Sequence, residues 1–431
     1  MTMAQICVTG IWHQGSVLSA CLADLGNSVC GVCDAKTAGL LNAGQSPVHE
    51  PLLPEMLRRN LEAGRLRYTT HYAEGLAGAE FVFISTDTPV DLNDDSDLSS
   101  IYAIARHVGK HLSTNIVLCV TAQVPVGTSE ELARIIGSES PKHTCVVAYV
   151  PEFLRLGSAV ETFHQADRFV IGCNDPVVAR RVAAIYEPMG RPIILTNIRS
   201  AEMAKHASNA FLATSISFIN EIASLCEPLG ADAVEVSKIL KLDKRIGKHA
   251  FLSPGLGFAG GTLGREIRAL QKLGTAKALP TRVLDAVWQV NTERPRLVGR
   301  RLAAALGGLA GRKIGILGLT YKPGTSTLRR AVSLDIVRDL VGQGARVCAF
   351  DPLANLAECA ELPPMDVCAD PYGVAKESDA VVLFTEWQGI ESLDLPRLRG
   401  MMRGGVFLDT RNVFDPAKVR AAGFKYFGVG R

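Results

Sequence analysis

Lys205 and Asn209 stand four residues apart in AEMAKHASNAFLATSISFINEIASLC, a stretch with helical spacing and neither Gly nor Pro. That interval places an ammonium and a carboxamide on one helical face, where they serve either a ligand or plain solvation. Cys30 and Cys33 form a C-x-x-C, the pattern of thiol redox or metal chemistry. They fall in the apolar run SVCGVCD, where residues three apart on a strand point to opposite faces, which favours a place in the core. His13 beside Trp12 and His206 beside Lys205 could act as acid or base, yet a structural or exposed histidine is the commoner outcome for each. Most of the 11 cysteines read as small buried hydrophobes, in runs such as IVLCV and TCVVAYV; no disulfide and no metal site is expected.

These residues need a scaffold, and 431 residues at 47% hydrophobic composition suggest two or three domains. The first third alternates ICVTG, SVCGVCD, FVFIST, IVLCVTA and CVVAYVP with helical patterns, the rhythm of a parallel sheet with crossover helices. A long helix from Ser200 to about Cys226 leaves this domain. Helical segments follow, including LPTRVLDAVWQVNTERPRLVGRRLAAAL, whose internal proline predicts a bend. GRKIGILGLTYKP then restarts the strand–turn–helix rhythm as a second doubly wound domain. Both ends open with a strand running into a glycine turn, the trace of a distant internal repeat without a fixed period. A net charge of +3, spread along the chain, gives no reason to expect a nucleic acid partner. No apolar run reaches membrane-span length and MTMAQICVTG lacks signal-peptide character, so a cytoplasmic protein without membrane contact is expected.

Ordered blocks across essentially the whole chain resemble the UDP-glucose/GDP-mannose dehydrogenase family. They include NAGQSPVHEPLLPEML, VPVGTSEEL, PEFLRLGSAVETF, SAEMAKHASNAFLATSISFINEIASLCE, DKRIGK, GLTYKPGT, TEW, DTRN and FGVGR. The resemblance implies an α/β fold of two doubly wound Rossmann-like domains joined by a long helix and a helical dimerisation domain. The corresponding boundaries are 1–197, 198–308 and 309–431. It also implies a homodimer, NAD as cofactor, a UDP-sugar as substrate, and oxidation of the sugar's C6 alcohol to a carboxylate by two hydride transfers.

Carried onto this sequence, the family pattern gives Glu152, Lys205, Asn209, Thr262 and Glu266 the catalytic positions, with Lys205 and Asn209 holding the sugar and stabilising the developing oxyanion. Gly10, Gly15, Asp34, Thr88 and Gln123 fall at the cofactor. Phe153, Leu154 and Arg155 follow Glu152 on the sugar-nucleotide side. Arg245 matches an arginine that crosses to the neighbouring subunit, while Phe251, Leu252 and Gly257 belong to the uridine and diphosphate cradle. Arg265, Lys322, Arg329 and Arg411 complete the substrate contacts.

The departures concentrate on the redox side. The dinucleotide fingerprint reads Gly10-Ile11-Trp12-His13-Gln14-Gly15, so an indole replaces the glycine that lets backbone approach the pyrophosphate, which stands against NAD in its usual pose. Cys33 occupies the place of the ribose-binding acid, with Asp34 one residue late. Gln123 replaces a threonine and Leu156 a glutamate. Thr262 stands where the family has the cysteine that captures the C6 aldehyde, and a threonine hydroxyl is far less acidic than a thiol. Glu266 and Arg265 replace an aspartate and a lysine. Two functions follow as expectations: a UDP-sugar 6-dehydrogenase relative with impaired or altered oxidation, or a repurposed relative that binds nucleotide sugar without NAD-linked turnover, as a non-oxidative enzyme or a regulatory partner.

Overall fold

The computed structural model describes residues 3–48, 50–90, 96–155, 157–359 and 361–431, in two compact units, Met1–Ala207 and Ser208–Arg431. In chain order the first unit runs β1 (Gln5–Thr9), α1 (His13–Asp24), β2 (Ser28–Val32), α2 (Ala35–Asn42), α3 (Leu53–Glu62) and β3 (Leu66–Thr69). It continues with α4 (Tyr72–Leu76), β4 (Phe81–Ile84), α5 (Ser99–His111), β5 (Ile116–Val120), α6 (Thr128–Glu139) and β6 (Cys145–Tyr149). Then come α7 (Ala159–His164), β7 (Phe169–Gly172), α8 (Pro176–Tyr186), β8 (Ile193–Thr196) and α9 (Ile198–Leu229), which runs into the second unit. The sheet order is β3-β2-β1-β4-β5-β6-β7-β8, parallel throughout except at the β6–β7 pair. The first six strands give the order of a doubly wound nucleotide-binding sheet, with its switch point between β1 and β4.

Strand periodicity explains why both faces are covered. Ile6 and Val8 enter one buried cluster with Val17, Leu18 and Leu22 of α1, while Cys7 enters the other with Ile101 and Val108 of α5. Cys30 is buried in β2 opposite Cys7. Burial raises its thiol pKa and pushes that of Cys33 up to about 12, the opposite of what a reactive thiolate needs.

The second unit continues with α10 (Ala233–Leu242), α11 (Leu263–Ala276), α12 (Arg282–Glu293) and α13 (Arg296–Leu306). At the internal proline, where a bend is expected, the helix divides into α12 and α13, and Arg294 and Pro295 between them keep right-handed helical angles, Pro295 having no N–H to give. β9 (Lys313–Leu317), α14 (Val332–Gly342), β10 (Arg346–Phe350), β11 (Asp366–Val367), β12 (Ala380–Leu383), α15 (Leu395–Met401), β13 (Val406–Asp409), α16 (Pro416–Ala421) and β14 (Lys425–Gly428) complete it. Their order, β11-β10-β9-β12-β13-β14, repeats that of the first six strands. The closing FGVGR folds back onto the helices: Gly430 N donates to Glu227 Oε1 at 2.8 Å, and Arg431 pairs with Asp232 at 2.7 Å. Among the described residues, no helix is long and apolar enough to cross a membrane.

Candidate active site

The β1–α1 turn carries the altered fingerprint. Gly10 has φ 73°, and a methyl group there would lie 2.6 Å from Thr86 Cβ, so turn and packing both require glycine. Trp12 sits at the N-cap of α1 without a side-chain cap bond, its indole about half exposed at 49%. The two residues after it are wired inward. His13 Nε2 pairs with buried Glu50 at 2.7 Å, and Glu50 also accepts the N–H groups of Gly157 and Ala159. Gln14 Nε2 donates to Glu152 Oε1 at 2.8 Å. His206 is likewise buried, bonded to the Val124 carbonyl at 3.0 Å. Both histidines therefore have structural partners.

Glu152 is the hub of a polar group in this unit. Its second carboxylate oxygen accepts from Leu154 N at 2.6 Å, and Lys205 Nζ donates to its carbonyl while lying 4.0 Å from Oε1. Phe153 takes Lys205 and Arg168 on its ring, each 4.8 Å from the centroid. Arg155 is exposed, and Leu156 lies outside the described residues. Asn209, one turn beyond Lys205 on α9, is 8% exposed, and its Nδ2 has no acceptor among the described residues. An amide donor so placed is costly to leave unmatched and suits a ligand oxygen.

Of the cofactor positions, Thr88 and Gln123 come together through a 2.7 Å bond from Thr88 Oγ1 to the Gln123 carbonyl. Asp34 caps α2 instead: it accepts from Thr37 N and Thr37 Oγ1, bonds that hold its carboxyl below the usual range. The glycine turn, the α1 N-terminus and the Thr88–Gln123 corner fit a dinucleotide. Trp12, half exposed at the N-cap of α1, stands where the dinucleotide fingerprint has its middle glycine.

In the second unit, loop 251–261 is held on a polar frame. Asn220 Oδ1 accepts from Gly255 N at 2.8 Å, and Asn291 clasps Phe258 through both its N–H and its carbonyl. Gly257 has φ 95°, and a side chain there would run into Asn291 Oδ1. Arg294 supports Gly255 from below, donating to its carbonyl at 2.9 Å, and burial pushes this guanidinium down to about 10. Leu252 is buried and Phe251 exposed. Gly255 lies against the Thr410 carbonyl and Arg411, while Gly260 packs on Tyr321, whose neighbour Lys322 lies over the same ring. Arg411 is fixed by the carbonyls of Phe384 and Tyr321. The structure thus gathers Leu252, Gly257, Lys322 and Arg411 around one loop. Arg329 is instead paired with Glu358 and Arg245 with Asp243, both guanidinium groups largely exposed.

Thr262 is the N-cap of α11, exposed, with no side-chain cap bond. Glu266, one turn on, is 1% exposed and lies 3.6 Å from Arg265 Nε.

Comparison with known proteins decides the lineage. The UDP-glucose/GDP-mannose dehydrogenase family matches in all three of its parts: the NAD binding domain over residues 4–190, the central domain over 199–293 and the UDP binding domain over 315–416. A UDP-glucose 6-dehydrogenase of Rhizobium meliloti is 38% identical, covering 99% of both chains, and one of Pseudomonas aeruginosa is 37% identical over 99% of this chain and 97% of its own. A UDP-glucose dehydrogenase structure from Pyrobaculum islandicum superposes with a TM-score of 0.91 at 35% identity, covering 100% of this chain and 98% of that one.

The chain belongs to the UDP-glucose/GDP-mannose dehydrogenase family. Membership gives this dehydrogenase-family protein an NAD-binding domain and a UDP-binding domain, and makes NAD its cofactor. Sequence reasoning passed over Gln14, Glu50, Glu202, Asn220, Asn291 and Arg294. Each acts by holding backbone or another side chain, a role that no motif announces.

Proposed function

We propose that this protein binds a UDP-sugar and oxidises its C6 alcohol only as far as the aldehyde. The observation that carries this reading is Thr262 at the N-cap of α11, in a chain with no cysteine between Cys226 and Cys348. NAD, when bound, takes the hydride from C6. The C6 hydroxyl gives up its proton to water, and the Lys205 ammonium and the unmatched Asn209 amide stabilise the negative charge that its oxygen bears before the hydride departs. Glu152, held by Gln14 and Leu154 N, keeps Lys205 in place. Conversion of the aldehyde to an acid needs a nucleophile that can form and release an acyl-enzyme, and a threonine hydroxyl, far less acidic than a thiol, performs this poorly. Trp12 favours a second reading, in which nucleotide sugar binds and NAD-linked turnover is lost.

The same proposal includes a homodimer. Phe211, Phe218 and Leu225 recur every seven residues on α9 and are 71%, 50% and 55% exposed, a stripe suited to a second copy of itself.

The test is to mix protein, NAD and a panel of UDP-sugars, count NADH per sugar consumed, and measure binding of each ligand in parallel. One NADH per sugar is expected. Two would overturn arrest at the aldehyde, and sugar binding without NADH would support the second reading.

A further inference from the structure

Arg294 lies at the α12–α13 junction, and only 6% of its surface is exposed. Its Nε donates to the Gly255 carbonyl and its Nη1 to Ser224 Oγ at 2.7 Å, while its buried Nη2 meets no acceptor among the described residues. Among those residues it forms no ion pair, and the charged neighbour that perturbs it, Arg300, is also positive. A cation this deep normally has a carboxylate beside it, because burial strips away the water that would otherwise stabilise the charge.

What lies against it is the glycine loop. Asn220 and Asn291 pin that loop on either side of Gly255 and Phe258, so the charge sits behind rigid backbone. The Gly255–Leu256 peptide is trans, so with its carbonyl turned to the guanidinium its N–H points the other way. The cation polarises that peptide and makes the far N–H a better donor to an anion.

We propose that Arg294 is the buried counter-charge for the ligand's diphosphate, setting a preference for charged nucleotides over the neutral nucleoside without touching them. It acts through the Gly255–Leu256 peptide and through its own field. This rests on the nucleotide-sugar reading above. The rival role is purely mechanical support of the loop, which would weaken all ligands alike.

The test measures dissociation constants for UDP, UMP and uridine with the full-length protein and two variants. Arg294→Gln keeps an N–H for the Gly255 carbonyl but removes the charge; Arg294→Lys keeps the charge. Arg294→Gln is expected to weaken UDP about tenfold or more, UMP less, and uridine hardly at all, with Arg294→Lys recovering most of the UDP affinity. Equal losses for UDP and uridine, or no loss for UDP, would overturn the proposal. So would an Arg294→Gln protein that fails to fold while Arg294→Lys folds and binds UDP no better than uridine. Failure of the wild-type protein to bind UDP or any UDP-sugar would instead remove the nucleotide-sugar reading, and this inference with it.

Discussion

Thr262 stands at the positive end of the α11 dipole, its hydroxyl not used as a cap. A thiol at that place would have its pKa lowered by the helix N-terminus and would ionise near neutral pH. Thr262→Cys is therefore expected to raise NADH formed per sugar from one to two, with a uronate as product; unchanged stoichiometry would place the defect elsewhere. Trp12 is the second test at this scale. Trp12→Gly clears the N-terminus of α1 and is expected to tighten NAD about tenfold, ~1.4 kcal/mol, in a binding titration. Both positions were legible in the sequence because a motif says what belongs there. Gln14, Asn291 and Arg294 were not, because their partners are fixed only when a loop distant in the chain arrives: Gln14 meets Glu152, 138 positions away.

Element boundaries follow from local chemistry, and these the sequence carried well. The helix expected from Ser200 to about Cys226 extends over Ile198–Leu229, since Ala, Met, Lys and Leu favour helix and nothing breaks it before Pro228. The internal proline, expected to bend a helix, divides it into α12 and α13 while Arg294 and Pro295 keep right-handed helical angles. What sequence could not show is how α9 is tied to α6. Glu202, fully buried, accepts from Gly127 N at 2.6 Å and from Ser129 N and Ser129 Oγ. It supplies the cap that Gly127, lacking a side chain, cannot give to α6. Glu202→Ala would leave buried donors without acceptors, and a loss of about 3 kcal/mol in urea unfolding is expected. A loss below about 0.5 kcal/mol would mean that water reaches these amides freely.

At the scale of the molecule, two sheets share one strand order, the first before and the second after a helical segment in the chain, which is why the sequence could suggest a repeat without any repeated period: the topology is shared and the side chains are not. The helical segment leaves large apolar groups in solvent. Beyond the stripe on α9, Leu229 is 78% exposed and Leu242 of α10 is 83% exposed. Removing one such aromatic or leucine fully from water is worth roughly 1.5–3 kcal/mol, so a two-fold pairing that covers three or four per chain gains an amount on the order of the cost of association, which supports the proposed dimer. An isologous contact also brings each residue near its own copy, so a charge placed on the stripe repels itself. Phe211→Asp combined with Phe218→Asp is therefore expected to yield a folded monomer in sedimentation velocity where the wild-type protein sediments as a dimer. A wild-type monomer, or a double variant that still pairs, would move the assembly surface off α9 and leave its seven-residue stripe without an explanation.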